Sequence, residues 1–160
     1  MKAQVVRPAP KPAPPPPGLD AHSIVKRHLT FGWWSLLIFL TAGLVLEGLH
    51  GLKSQAYLGV HQEIRRLMWT LAHAHGTLLS VVNLGFAFMV YVTGPWAEKR
   101  RNLASALLRA ATILMPAGFF LGGLFTYSGD PGLGILLVPV GGIFLFVAVL
   151  ITSMGAARRS

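Results

Sequence analysis

Two histidines, His73 and His75, stand in a run of residues that is otherwise apolar enough to cross a membrane. An ionisable side chain inside lipid needs a partner, so such residues are candidate functional groups. Positions two apart in an α-helix differ by about 200° around its axis, so the two rings point to nearly opposite sides. His73 shares a face with Thr77 and Ser80. We therefore predict that His73 faces an interior site and that His75 holds a neighbouring helix.

A second candidate group lies at the end of the first apolar run. Glu47 and His50 are three residues apart, which places them on one face of a helix. Together with His73 they are candidate ligands for a single transition-metal ion. The alternative is structural, with Glu47 pairing with a histidine or with Arg65 or Arg66 at the helix end.

The stretch Ala72-His73-Ala74-His75-Gly76-Thr77-Leu78-Leu79 resembles the His-x-His helix of heme-copper oxidase subunit I and of the related nitric oxide reductases. In that family the two histidines use their opposite directions to bind two hemes. The resemblance covers about ten residues, and this chain has far fewer spans than the family. It implies a heme b site with His73 or His75 as an axial ligand, His50 or His61 as a partner, and Arg65 and Arg66 against the propionates.

Two weaker resemblances concern the whole chain. The pattern Ala72-His73-x-x-Gly76 and the overall size are similar to the four-span membrane proteins of the hydroxylaminobenzene mutase type. The chain as a whole, including the segment Gly129-Asp130-Pro131-Gly132-Leu133-Gly134, resembles an uncharacterised bacterial family of four-span membrane proteins. Neither resemblance carries an activity over to this chain.

The composition indicates a membrane protein. Of the 160 residues, 53% are hydrophobic and 12% are charged, whereas a soluble protein carries about 25% charged residues. The formal charge of +9 comes from basic residues that lie between long apolar runs. This arrangement fits membrane topology and anionic lipid and argues against nucleic acid as a partner. The absence of cysteine excludes disulfides and thiolate metal sites.

The hydropathy pattern predicts an all-α fold: an integral membrane four-helix bundle in up-down-up-down order. A disordered, proline-rich tail is expected over residues 1–18, because proline removes hydrogen-bond donors and this composition cannot form a core. An interfacial helix is expected over 19–29, the four-helix domain over 30–155 and a basic tail over 156–160. The four spans are expected at about 30–50, 66–92, 103–127 and 132–153.

The distribution of basic residues predicts the orientation. Four spans place both termini on one side of the membrane, together with most of the 14 basic residues. The positive-inside rule then predicts that both termini are cytoplasmic, in a bacterial inner membrane. Glu47, His50, His73 and His75 fall in the outer half, so a site is expected to open outwards. The inner half shows no comparable cluster, and His28 is expected to be solvated in the basic flank.

The leading hypothesis is therefore a small membrane protein with an outward-facing histidine and glutamate site. That site would bind heme or a transition metal, and the protein would be a redox accessory component. One alternative is a structural or assembly subunit of a membrane complex, and another is an oligomeric transporter. The expected partners are the lipid bilayer and either another membrane subunit or a second copy. No nucleophile–base pair or phosphate loop is visible, so no enzyme class is assigned.

Overall fold

The prediction of an all-α four-helix bundle is confirmed. The computed structural model describes residues 19–93 and 97–157, and the predicted proline-rich tail lies outside them. Four helical segments are long and apolar enough to cross a membrane. The described elements are α1 (Leu19–Gly51), α2 (Gln55–Leu58), α3 (Glu63–Thr93), α4 (Glu98–Leu124), a 3-10 turn (Leu133–Leu136) and α5 (Leu137–Ala157).

The element bounds differ from the predicted spans at several points. The segment expected as a separate interfacial helix is continuous with span one, since α1 runs unbroken for 33 residues. No proline interrupts the sequence between the two segments, so the helix has no reason to end there. Helix α4 ends at Leu124 rather than near 127. The chain turns beyond it, where Ser128 and Gly129 adopt positive φ angles of 47° and 90°.

The spans pack in the order in which they occur in the chain. Helix α1 lies along α3, α3 along α4 and α4 along α5, while the contact of α1 with α4 is slight. Short connections between packed neighbours require alternating directions, which gives the up-down-up-down order. In their most apolar windows α3 and α4 are 39% and 44% buried, compared with 11% for the α1 and α5 spans. The bundle therefore has two central and two flanking helices.

The bundle has two ends that differ in charge and in connections. The basic end is where α1 and α4 begin and where α3 and α5 end. The loop end is the opposite one, where α2 and the 3-10 turn lie.

Small residues let α4 and α5 approach closely. A Cβ atom on Gly118 would lie 3.0 Å from the backbone nitrogen of Val138 and 3.1 Å from the carbonyl oxygen of Gly134. A Cβ on Gly141 would lie 3.0 Å from the backbone nitrogen of Met115. Small residues are the usual means of close helix contact in membranes, where apolar burial does not drive association.

Candidate functional site

His73 lies on α3 at the contact with α1. It is ten residues after Glu63, the first residue of α3, which is roughly 15 Å along the helix. Its Nδ1 lies 2.7 Å from the carbonyl oxygen of Phe39 on α1. A carbonyl oxygen only accepts, so in the neutral ring Nδ1 carries the proton and donates it. The ring packs so closely against Gly43 that a Cβ atom added to this glycine would overlap it.

His73 also lines a large apolar cleft between α1, α3 and α4, here called the His73 cleft. Its volume is about 770 Å³, within the range of small-molecule sites. The aromatic rings of Phe31, Phe39, Trp69 and Phe120 form part of its walls.

The His73 cleft is long rather than round. Its lining on α1 extends from Phe31 to Leu49, a separation of eighteen residues or roughly 27 Å. The lining on α4 extends only from Thr112 to Phe120. Since α1 barely touches α4, the cleft opens between these two helices.

The other polar side chains of the lining already have hydrogen-bond partners. Ser35 and Thr41 donate to the carbonyl oxygens of Gly32 and Leu37 at 3.1 and 2.8 Å. Thr112 donates to Leu108 at 2.8 Å, and the Trp69 indole donates to the Phe120 carbonyl at 3.3 Å. Among these described lining residues, His73 Nε2 is the polar side-chain atom left without a hydrogen-bond partner.

His75 points to the opposite neighbour, as predicted. Its Nδ1 donates to the carbonyl oxygen of Leu71, one turn back on α3, at 2.9 Å. Its ring packs against Phe119 of α4, with the ring centroids 4.8 Å apart. The two histidines thus contact different helices, α1 and α4, as their separation of about 200° on α3 requires, and His75 lies at the packed contact between α3 and α4.

The predicted ligand set for a metal ion does not assemble. Within residues 19–93 and 97–157 no three histidine, aspartate or glutamate side chains lie close enough together to hold an ion. Glu47 and His50 are both exposed at the end of α1. His50 instead lies edge-on to Tyr57, with the ring centroids 6.5 Å apart. Neither residue lines the His73 cleft.

The arginines at the start of α3 also lie outside the His73 cleft. Arg65 donates through Nε to the carbonyl oxygen of Gly123 at 3.2 Å and through a terminal nitrogen to that of Ala56, also at 3.2 Å. Its guanidinium lies over the Trp69 ring, 5.7 Å from the centroid. Arg65 thus connects α3 to α2 and α4 at the loop end of the bundle. Arg66 is half-buried beside it.

A second polar cluster, missed by sequence reasoning, lies towards the basic end. His28 was expected to be solvated, but it is fully buried between α1, α3 and α4. Its Nδ1 lies 2.8 Å from Asn83 Oδ1, and its Nε2 lies 2.8 Å from Ser105 Oγ. The Asn83 amide nitrogen donates to Thr112 Oγ1 at 2.8 Å. We call these four residues the His28 network.

The bonds of the His28 network fit a neutral histidine. The Asn83 amide nitrogen donates to Leu79 O at 2.8 Å as well as to Thr112, so Oδ1 faces His28 as an acceptor. Nδ1–H then donates to Oδ1, and the Ser105 hydroxyl donates to Nε2. The ring also packs on Phe86, with centroids 4.6 Å apart. This cluster corrects the expectation that the inner half holds no comparable group.

A sequence signal for the network did exist. Ser105 and Thr112 are seven residues apart, which puts them on one face of span three, and Asn83 is the strongest hydrogen-bonding group in the second half of span two.

Comparison with known proteins adds no relative. The chain matches no family model, no curated protein and no solved structure.

Proposed function

We propose that this multi-pass membrane protein binds an isoprenoid quinol, which is a dihydroxylated aromatic ring with a long apolar chain, as an accessory component of a membrane redox complex. The observation that carries the proposal is the unpartnered Nε2 of His73 at the wall of a long apolar cleft. In the tautomer whose Nδ1–H donates to the Phe39 carbonyl oxygen, the Nε2 atom of His73 carries a lone pair. A hydroxyl group is the ligand function that pairs with it.

The shape of the cleft favours a chain-bearing ligand. Its α1 side, from Phe31 to Leu49, would accommodate an apolar chain, and the opening between α1 and α4 gives access from the bilayer. The aromatic walls supply flat surfaces for a ring, which stacks offset or edge-to-face on aromatic side chains. His73 fixes the orientation of the ring through a single polar contact.

The test is the quinol content and quinol affinity of the purified protein. Protein prepared in mild detergent is extracted with organic solvent, and quinones and quinols are quantified by chromatography. Short-chain quinol is then titrated calorimetrically into delipidated protein. His73→Ala should weaken binding about tenfold, the effect of one lost hydrogen bond. His75→Ala is the matched control on the same helix and should bind normally.

A second variant blocks the cleft without altering His73. Ile113 lines the cleft from α4 and is 58% exposed, so Ile113→Trp adds volume at a position that is not part of the buried core. It should abolish quinol binding in a folded protein. Full quinol binding by Ile113→Trp, or by a folded His73→Ala protein, would disprove the proposal. The alternatives of a structural subunit or an oligomeric transporter predict no bound quinol in the unaltered protein.

Heme b is the second candidate ligand. The specific observation in its favour is the bond from Nδ1–H to a backbone carbonyl, because metal-binding histidines typically donate their other ring nitrogen in this way. Against it, His50 and His61 are exposed outside the cleft, and Arg65 is bonded to carbonyl oxygens rather than free for a propionate. In the same preparations, a Soret band that disappears in His73→Ala would select heme over quinol.

A further inference from the structure

Arg109 of α4 is a charged group for which the described residues provide no acceptor at Nε. It lies eleven residues beyond Glu98, the start of α4, or roughly 16 Å along the helix. Its Nε atom is buried and makes no hydrogen bond to the described residues. Arg109 as a whole is half-buried, and partial removal of a guanidinium from water without an acceptor is unfavourable. An anion bound beside Arg109 would offset that cost.

Arg109 belongs to a basic cleft on the membrane face of the bundle. The cleft lies between α1 and α4 near the basic end and has a volume of about 590 Å³. Lys26 and Arg27 line it from α1, and Arg27 lies within electrostatic reach of Arg109. None of the described residues that line it is a carboxylate. Three like charges thus border one space, and a negative charge in that space would relieve their repulsion.

The apolar residues of the basic cleft indicate which kind of molecule bears the bound anionic group. Phe31 and Trp34 line it on the side towards the middle of α1. Trp34 is 63% exposed, in the position of an aromatic anchor at a membrane interface. Beyond it the surface of α1 is apolar, with Leu37 and Ile38 exposed. If the anionic group of a ligand lies at the three cations, the rest of that ligand therefore meets the apolar surface of α1.

We propose that the basic cleft binds the phosphate headgroup of an anionic phospholipid, with the acyl chains along the exposed face of α1. Arg109 donates to the phosphate oxygens from inside the cleft, and Lys26 and Arg27 contact it from the rim. The headgroup contacts of this site do not involve His73, although Phe31 lines both clefts and Ile38, on the path of the acyl chains, also lines the His73 cleft.

The experiment places the full-length protein in nanodiscs or mixed micelles that contain phosphatidylglycerol or phosphatidylcholine, and counts retained lipids by native mass spectrometry. The unaltered protein should retain phosphatidylglycerol and not phosphatidylcholine. Arg109→Gln and Arg27→Gln should each weaken phosphatidylglycerol binding about fivefold, the effect expected for one cation near an anionic lipid. Arg27 is exposed, so its replacement tests the site even if Arg109→Gln impairs folding.

Arg100→Gln is the matched control, because Arg100 is an exposed cation of the same end that does not line the basic cleft. If Arg100→Gln reduces phosphatidylglycerol retention as much as Arg27→Gln does, the attraction is diffuse and the site does not exist. Inorganic phosphate is added as a competitor. Displacement of the lipid by millimolar phosphate would identify a free-anion site and overturn the lipid assignment.

Discussion

At the scale of single residues, the six histidines divide by the partners that their ring nitrogens find. His28 uses both nitrogens inside the bundle, whereas His73 has a partner for Nδ1 only. A ring with both nitrogens bonded is fixed in place and is available for no ligand. A ring with one nitrogen bonded is oriented and still able to accept a bond. This difference makes His73 the candidate binding residue and His28 a structural one.

The residue-scale prediction concerns the His28 network. His28→Ala leaves Asn83 Oδ1 and Ser105 Oγ without their shared partner and removes the ring packed on Phe86. We expect the free energy of unfolding to fall by about 1–3 kcal/mol, the cost of buried unsatisfied groups. Unfolding in mixed detergent and SDS measures it. His22→Ala, at an exposed position on the same helix, should leave stability unchanged; an equal loss in both variants would contradict the assignment.

At the scale of helices, α1 is a flanking element whose position depends on a few close contacts with α3. The His73 ring of α3 packs against Gly43 of α1, and the Phe39 ring of α1 packs against Gly76 of α3. The His28 network joins the same two helices nearer to the basic end. Helix α1 is thus held to α3 along its length, while its separation from α4 leaves the His73 cleft.

The helix-scale prediction is a substitution that displaces His73 indirectly. In Gly43→Val the added side chain overlaps the imidazole, so the ring must leave the Phe39 carbonyl. Quinol affinity should fall at least as far as in His73→Ala, and calorimetric titration measures it. Gly48→Val is the control on the same helix, because a Cβ atom there meets nothing within 4 Å. Normal quinol binding by Gly43→Val would show that the position of the ring is unimportant.

At the scale of the whole molecule, charge is segregated along the bundle axis. Exposed cations gather at the basic end, where Lys26, Arg27, Lys99 and Arg100 lie. The loop end carries Lys53, Arg65 and Arg66, and Arg65 is bonded to backbone carbonyl oxygens there. The positive-inside rule predicts from this distribution that the basic end is cytoplasmic.

The whole-molecule prediction is therefore the topology. A reporter enzyme that is active only outside the cytoplasm should be inactive when fused after Ala157, at the basic end. It should be active when inserted at Gly129, which is exposed in the turn at the loop end. The opposite pattern of reporter activity in a bacterial host would show that the basic end lies outside the cytoplasm. It would also place the opening near His73 closer to the cytoplasmic leaflet.

Those features that depend on a local pattern of residues could be predicted from the sequence. Hydropathy and length specified the four spans, because a membrane core needs about 20 apolar residues in each, and helical geometry specified that His73 and His75 face different neighbours. Which polar groups form hydrogen bonds with each other depends on how distant parts of the chain pack together. His28 finds Asn83 and Ser105, which are 55 and 77 residues away in the chain, and no periodicity within α1 encodes that contact.

The dependence on packing between distant parts of the chain also explains why the candidate metal ligands do not assemble. Glu47, His50 and His73 were grouped by their estimated depth in the membrane. Depth along the axis leaves open how far apart two helices lie and which way each side chain points, and the three residues do not come together. The cleft beside His73 likewise depends on the gap between α1 and α4, which are separated along the chain by α3. That gap is a property of how three helices pack, so only the folded chain reveals it.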